Sequence, residues 1–177
     1  RPAKSLNSLT VRAARLIDVL TNRCRAHKTD RLNRGVRKKR VNRLFIAEGP
    51  GKAWQAEVKP GETVPGTDSR LPMHIRKAPE QGLTAIASKS HRSPETDEFL
   101  SKFKVAEMIS AGSSLKLCLV GAGEADIYPR MGRTMEWDTA AGQAICEHAG
   151  FEVIDWKTKK PMLYNREELL NNWFLVK

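Results

Sequence analysis

The chain has 177 residues and a formal net charge of +11, with 31 Lys and Arg side chains against 20 Asp and Glu. Its three cysteines, Cys24, Cys118 and Cys146, form no C-x-x-C pair, which argues against a disulfide scaffold or zinc module and favours a reducing cytoplasm. We find no apolar run of about eighteen residues and no N-terminal stretch with signal-peptide features. We therefore predict a cytoplasmic protein without a transmembrane segment; peripheral attachment at the inner membrane is the alternative.

The excess positive charge lies in the first quarter of the chain. Residues 1–43 carry 14 basic side chains against the two acids Asp18 and Asp30, whereas residues 44–177 carry 17 basic and 18 acidic side chains. We therefore predict a basic, atypical leader followed by one near-neutral domain. Within the leader, apolar residues recur at helical spacing over 8–25 and predict a helix there.

Two interpretations of the leader follow from its residues. The run Arg37-Lys38-Lys39-Arg40 is typical of an arm that binds nucleic acid or an anionic membrane. The alternative is a solvated segment without fixed structure, since residues 1–43 contain no Phe, Trp or Tyr.

Strand and helix patterns alternate from residue 44 onward. Pro94 at the first position of a helix and Gly150 after the end of another mark two of the boundaries. We predict strands at 44–47, 53–58, 73–77, 83–88, 105–110, 125–128, 151–155 and 173–176, and helices at 93–103, 114–122 and 139–149. This alternation indicates the α/β class, with helices packed on a sheet. The oligomeric state cannot be predicted from the sequence.

The segment Trp137-Asp138-Thr139-Ala140-Ala141-Gly142 places an acid at the start of a small-residue helix. Both Asp138 and Thr139 can cap that helix, because their side-chain oxygens accept hydrogen bonds from first-turn N–H groups. A helix N-terminus also favours phosphate, and a neighbouring carboxylate is a ligand for a divalent cation such as Mg²⁺. Taken alone, an Asp at a helix start is most often a structural cap.

Basic residues flank this segment. Lys116 follows the hydroxyl-rich stretch 112–114, and Arg130 ends the predicted strand that contains Tyr128. Arg binds phosphate bidentately and Lys binds it as a point charge, so Lys116, Arg130 and Arg133 are candidate anion-binding residues. Tyr128 is a candidate for packing on a base. The alternatives are solvated surface charges and a half-buried strand aromatic.

Two stretches, GSSLKLCLVGAGEADIYPR at 112–130 and GRTMEWDTAAGQAI at 132–145, carry a family resemblance. They resemble the C-terminal domain of the CysQ-type 3'(2'),5'-bisphosphate nucleotidases, in the inositol monophosphatase superfamily of magnesium-dependent, lithium-sensitive phosphatases. The resemblance covers roughly 44–177 and implies the C-terminal portion of that superfamily's layered α/β sandwich. It also implies a magnesium-dependent phosphatase that removes the 3'-phosphate of 3'-phosphoadenosine 5'-phosphate, or of its 5'-phosphosulfate, in sulfur metabolism. An inositol phosphate is the alternative substrate.

The same resemblance implies roles for individual residues. Asp138 resembles the family's metal-ligating aspartate beside the scissile phosphate, and is the predicted metal-binding and catalytic residue. The predicted substrate-binding residues are Ser88, His91, Gly112, Ser113, Ser114, Lys116, Arg130, Asp138 and Thr139. For His91, a loop histidine bonded to backbone is the alternative.

The resemblance also has a gap. In the family, most metal ligands lie in a first domain that includes an Asp-Pro-x-Asp-Gly-Thr motif, and residues 1–43 resemble none of it. One carboxylate cannot satisfy the near-octahedral coordination of Mg²⁺. We therefore expect little or no phosphatase activity from this polypeptide alone; an inactive fragment with a nucleic-acid-binding arm is the alternative. A third interpretation of the leader is a frameshifted or truncated gene, since composition changes abruptly before Leu44.

Overall fold

The computed structural model describes residues 18–21, 42–59, 61–88, 93–112 and 114–177. The strands in these ranges are β1 (Asp18–Thr21), β2 (Asn42–Gly49), β3 (Lys52–Glu57), β4 (Leu71–Pro72), β5 (Leu83–Ala87), β6 (Val105–Ser110), β7 (Tyr128–Arg130), β8 (Val153–Asp155) and β9 (Phe174–Val176). The α-helices are α1 (Pro94–Leu100), α2 (Leu115–Gly121) and α3 (Glu136–His148). No helix in the described ranges is long and apolar enough to cross a bilayer.

The strands form an antiparallel sheet and a mixed sheet. The antiparallel sheet has the order β1-β2-β3-β4, and its β2–β3 hairpin turns at Gly51, which adopts the left-handed φ of +69° that glycine tolerates without strain. In the mixed sheet, β5 pairs in parallel with β6, and β7, β9 and β8 pair antiparallel. A parallel bridge between Ala85 and Ile127 joins these two groups, so the strand order runs β6-β5-β7-β9-β8.

Helices α2 and α3 lie between the two sheets. The main core cluster joins Phe45 of β2 to apolar residues of α2 and α3 and to Ile86, Phe174 and Val176 of the mixed sheet. A second cluster packs Leu175 against Phe99 of α1 on the opposite face of that sheet. Successive residues of β9 therefore point to different layers, which is why this terminal strand is apolar throughout. The predicted layered α/β class is confirmed.

Two glycines let α2 and α3 approach closely. A Cβ atom on Gly142 of α3 would come within 2.6 Å of Leu117, and one on Gly121 of α2 would come within 3.1 Å of Ile145. Residue 117 thus faces residue 142, and residue 121 faces residue 145. Residue numbers increase in the same direction along both helices, so the helices are parallel. As a result, Ser114 and Asp138, at the N-terminal ends of the two helices, lie at the same end of the molecule.

Several element boundaries differ from the sequence predictions. The helix predicted over 8–25 is wrong where the structure describes it, because 18–21 is a strand paired with β2; the rest of that prediction lies outside the described residues. The predicted strand at 73–77 is absent: Met73 packs under α2, and Arg76 bonds Asp126 instead of joining a ladder. The strand predicted at 125–128 begins at Tyr128.

Candidate functional site

Three parallel segments end at the same edge of the mixed sheet. Ala87 and Ser110 lie opposite each other at the carboxyl ends of β5 and β6, and the Ala85–Ile127 bridge aligns the chain entering β7 with β5. The predicted site residues that leave this edge are Ser88 after β5, Gly112 after β6 and Arg130 at the end of β7. Ligands bind outside the carboxyl ends of strands in open α/β sheets, so this edge is the candidate site.

Lys116 lies in the first turn of α2 and is only 4% exposed. Its Nζ donates a hydrogen bond to the carbonyl oxygen of Ala111 at 3.3 Å and lies 5.6 Å from the centroid of the Tyr128 ring. Burial lowers the pKa of Lys116 to about 8, and the positive charge of Arg130 acts in the same direction. A desolvated cation beside a second cation is stabilised when an anion binds between them.

Arg130 is half-buried and carries a donor without an acceptor among the described residues. Its Nη2 donates to the carbonyl oxygen of Arg133 at 3.0 Å, whereas its buried Nε has no hydrogen-bond partner in that part of the chain. A buried donor left unpaired costs about 1–3 kcal/mol. Because the guanidinium group presents several donors in one plane, an oxyanion at this position could pair with Nε and remove that cost.

Tyr128 does not lie where a base could stack on it. Its side chain is 4% exposed, and its ring packs edge-on against Phe174 with 5.7 Å between ring centroids. Burial also raises the pKa of the Tyr128 hydroxyl. The predicted contact with a base is therefore wrong, and the half-buried aromatic of the alternative is in fact fully buried.

Asp138 is exposed on the first turn of α3. The helix begins at Glu136, three residues earlier than predicted, so Asp138 is its third residue rather than its cap. The carboxylate Oδ2 of Asp138 accepts a hydrogen bond from the backbone N–H of Met135 at 2.9 Å, which is the returning half of a capping box. An acid in this turn also interacts favourably with the helix dipole.

Thr139, the second predicted cap, faces the protein interior. It is 2% exposed, and its Oγ1 accepts hydrogen bonds from the Tyr164 hydroxyl and from Asn171 Nδ2, each at 3.0 Å. It also donates to backbone oxygens of the same turn. The capping role predicted for Thr139 is therefore corrected: its side chain fastens the helix start to the C-terminal segment.

Three more of the predicted site residues are among the described residues, and two are not. Ser88 and Ser114 are half-buried, and both make contacts within the protein. Gly112 is exposed, and a Cβ atom there would meet no described residue within 4 Å. His91 and Ser113 lie outside the described residues, so their predicted roles stay predictions.

The segment 164–171 contributes residues that the sequence did not point to. Tyr164, Arg166 and Asn171 bond Glu136 and Thr139 across a separation of about thirty positions in the chain. The sequence signal for such a contact is weak, because a short polar run after an exposed turn looks like a surface loop. The available hint was Glu136, an acid directly before the Trp-Asp pair.

The described residues by themselves do not form a complete metal site. Within the described ranges, no group of three or more His, Cys, Asp or Glu side chains is placed to hold a metal ion. Asp138 offers one carboxylate, and small divalent cations need several oxygen ligands. The expectation of an incomplete ligand set stays a prediction.

Residues 43–175 match the model of the inositol monophosphatase family. The chain belongs to the inositol monophosphatase family. This family is metal-dependent in general. The match begins at residue 43, where the basic first quarter of the chain ends. The predicted boundary between leader and domain stays a prediction.

Similar proteins in this family carry one recurring name. The chain is 38% identical to the 3'(2'),5'-bisphosphate nucleotidase CysQ of Escherichia coli K12 over 137 residues, which are 77% of this chain and 51% of that protein. It is 43% identical to CysQ of Buchnera aphidicola over 82 residues, which are 46% of this chain and 31% of that protein. The predicted resemblance to the CysQ branch is confirmed.

A crystal structure of CysQ from Bacteroides thetaiotaomicron is similar in fold. It has a TM-score of 0.68 and 39% sequence identity, and the match covers 77% of this chain and 54% of that one. The chain therefore spans about half the length of the curated relatives it matches.

Proposed function

We propose that this chain carries the substrate-binding half of a magnesium-dependent 3'(2'),5'-bisphosphate nucleotidase. Its ligand is 3'-phosphoadenosine 5'-phosphate or the corresponding 5'-phosphosulfate. The names of the similar CysQ proteins and the basic residues at the carboxyl edge of the mixed sheet support this assignment. Family membership supports phosphatase chemistry as the activity of the complete enzyme.

One observation carries the proposal: the buried cation Lys116 and the half-buried cation Arg130 interact at the candidate site. The positive charge of Arg130 contributes to the lowered pKa of Lys116, and Arg130 Nε has no hydrogen-bond partner among the described residues. A second cation beside a buried lysine is unfavourable, and a ligand with more than one negative charge offsets this repulsion. A bisphosphate nucleotide supplies that charge, and Ser88, Ser114 and the open backbone at Gly112 border the same edge.

Asp138 is the proposed metal-binding and catalytic residue of this half. Its exposed carboxylate stands at the end of the molecule where α2 also begins, and Mg²⁺ is the cation that fits oxygen ligands beside phosphate. The described residues do not complete a magnesium site. We therefore propose that this polypeptide alone binds the nucleotide with little or no hydrolysis.

The test is calorimetric titration of the purified chain with 3'-phosphoadenosine 5'-phosphate in the presence of a chelator. Adenosine 5'-monophosphate and inositol 1-phosphate serve as comparison ligands. We expect the bisphosphate to bind more tightly than either, and Lys116→Met to weaken it by at least about tenfold, the effect of losing one charge-assisted hydrogen bond. Lys102→Met, which removes an exposed lysine that pairs with Glu98, is the matched control.

Two results would contradict the proposal. Equal affinity for the three ligands would remove the selectivity for a bisphosphate nucleotide. Equal weakening by Lys116→Met and Lys102→Met would show that the buried lysine has no special part in binding.

A further inference from the structure

A buried carboxylate stands at the start of α3, directly before the Trp-Asp pair. Glu136 is 7% exposed, and its two carboxylate oxygens accept hydrogen bonds from one short segment. Oε2 accepts from the backbone N–H of Asn165 at 2.7 Å, and Oε1 accepts from Nε of Arg166 at 3.1 Å. The backbone N–H of Glu136 in turn donates to the carbonyl oxygen of Leu169 at 2.9 Å.

Arg166 connects this carboxylate to the rest of the segment. Its Nη2 donates to the carbonyl oxygen of Leu170 at 2.8 Å and to Oδ1 of Asn171 at 3.1 Å. Asn171 is oriented by that contact, and its Nδ2 donates to Thr134 Oγ1 at 3.2 Å and to Thr139 Oγ1 at 3.0 Å. One guanidinium group thus fixes the loop that brackets the helix start on both sides.

These contacts lie on the buried side of the turn 134–139, and Asp138 lies on its exposed side. The hydrogen bond from the Met135 N–H to the Asp138 carboxylate, 2.9 Å long, depends on the backbone of this same turn. The direction of the carboxylate therefore follows from how the turn is held. A lone N-terminal turn frays, because its first N–H groups have no partners within the helix.

We propose that Arg166 is a positioning residue, which acts through the buried carboxylate of Glu136 to hold the first turn of α3 and so fix the direction of Asp138. The inference rests on the proposed function for the role of Asp138 as a phosphate-facing metal ligand. The orientation itself is a property of the chain and can be measured without nucleotide or metal.

A purely structural role is the competing explanation. A buried ion pair gives a fold little net stability, because the desolvation of both charges offsets their attraction. The Arg166 guanidinium donates to three acceptors, and its bond to Asn171 orients that side chain. These directed bonds restrict the position of the segment more than a single point charge would. The two explanations differ in whether the hydrogen bond between the Met135 N–H and Asp138 survives when the Arg166 guanidinium is removed.

The experiment is amide hydrogen exchange of the ¹⁵N-labelled full chain at one fixed pH, with the Met135 N–H, which donates to the Asp138 carboxylate, as the reporter. We expect Asp138→Ala to speed Met135 exchange by about tenfold, the effect of losing one hydrogen bond to a charged group. Arg166→Gln is expected to cause most of that increase while core amides such as those of Ile86 and Val176 keep their protection. Lys102→Gln, which breaks an exposed ion pair with Glu98, is the control and should leave Met135 exchange unchanged.

Arg166→Lys keeps the charge but not the planar set of donors, and we expect it to cause part of the increase in Met135 exchange. It also decides the question if Arg166→Gln does not fold. Wild-type Met135 exchange in a folded Arg166 variant, with only a lower melting temperature, would overturn the proposal. So would Met135 exchange that does not respond to Asp138→Ala. Neither result depends on whether the chain binds a nucleotide, so failure here is distinct from failure of the proposed function.

Discussion

Leu117 lies directly against Gly142, so closely that a Cβ atom on residue 142 would sit 2.6 Å from Leu117 Cβ. This contact sets the spacing of α2 and α3 between the two sheets. It also keeps the start of α3, with Asp138, beside the start of α2, with Lys116. The small residues of the Trp-Asp-Thr-Ala-Ala-Gly segment therefore serve helix packing, and that packing brings the acid and the lysine to one end of the fold.

Gly142→Ala is expected to destabilise the chain. Alanine gains about 1 kcal/mol of helix propensity over glycine. The new Cβ atom would overlap Leu117 near its backbone, where the side chain cannot turn away, and overpacking of this kind costs about 1–3 kcal/mol or more. We expect a net loss of about 1–2 kcal/mol in urea unfolding. Gly66→Ala is the control, since a Cβ atom there meets no described residue within 4 Å. Equal stability of the two variants would contradict the packing argument.

Lys116→Met is expected to stabilise the unliganded chain at neutral pH. The pKa of Lys116 falls from 10.5 to about 8, so the folded state releases its proton earlier than the unfolded state does. Below pH 8 the folded state bears the whole penalty of the buried charge, which is at most about 3 kcal/mol. Wild-type stability should rise relative to the variant as pH rises from 8 to about 10.5.

Urea unfolding of both proteins at pH 7 and pH 10 measures this difference. We expect the variant to be more stable by about 1–2 kcal/mol at pH 7, after the lost Ala111 hydrogen bond is counted, with a smaller advantage at pH 10. A variant that is less stable than the wild type at pH 7 would show that the buried charge is already compensated.

Nucleotide binding is expected to weaken above about pH 8. The phosphate needs the charged form of Lys116, and this group loses its proton through about pH 8 in the unliganded chain. Binding at pH 9 should therefore take up a proton, and calorimetry in two buffers of different ionisation enthalpy measures that uptake. In Lys116→Met, affinity is lower and should not change between pH 7 and pH 9. The same fall in affinity in both proteins would assign the pH dependence to another group.

Asp126→Asn is expected to destabilise the chain by about 2 kcal/mol at pH 7, the effect of losing hydrogen bonds to a charged group. Burial acts to raise the pKa of Asp126, but the Arg76 hydrogen bond, the Thr84 N–H and the Arg76 charge outweigh it and hold this pKa below its ordinary value. The carboxylate therefore stabilises the fold above its unfolded pKa, and this contribution is lost as pH falls through the lowered folded pKa.

Urea unfolding between pH 7 and pH 3 tests this prediction. The difference between wild type and Asp126→Asn should shrink towards the acidic end. Glu98→Gln, at an exposed ion pair, is the matched control and should change stability by less than about 0.5 kcal/mol. A constant difference at every pH would mean that the charge of Asp126 is not what stabilises this contact.

Local signals predicted the parts of the fold that local interactions decide. Ser93 and Pro94 begin α1 as expected, because a proline at the first helical position needs no partner for its nitrogen. Gly150 follows α3 with a φ of +99°, a conformation that favours glycine, as the predicted helix end requires. The terminal strand was also predictable, because a short apolar run is typical of a strand that is buried on both faces, as all three of its residues are.

Long-range contacts determine the parts of the fold that the sequence did not predict. Met73 and Arg76 lie in a pattern typical of a strand, yet their partners are a helix and Asp126, which no local pattern shows. The start of α3 at Glu136 was missed because its supporting bonds come from residues 165–169. The family resemblance pointed to Asp138, Lys116 and Arg130, whereas the burial of Thr139 and Tyr128 could only be learned from the packing.

The central claim is that the described part of this chain holds a nucleotide-binding half-site without a complete metal site. The most direct test measures binding and phosphate release with 3'-phosphoadenosine 5'-phosphate on the same preparation, with and without Mg²⁺, beside the Asp138→Asn variant. The account predicts binding that survives a chelator and no phosphate release above background. Magnesium-dependent release that Asp138→Asn abolishes would contradict it, since the chain would then supply the missing ligands itself.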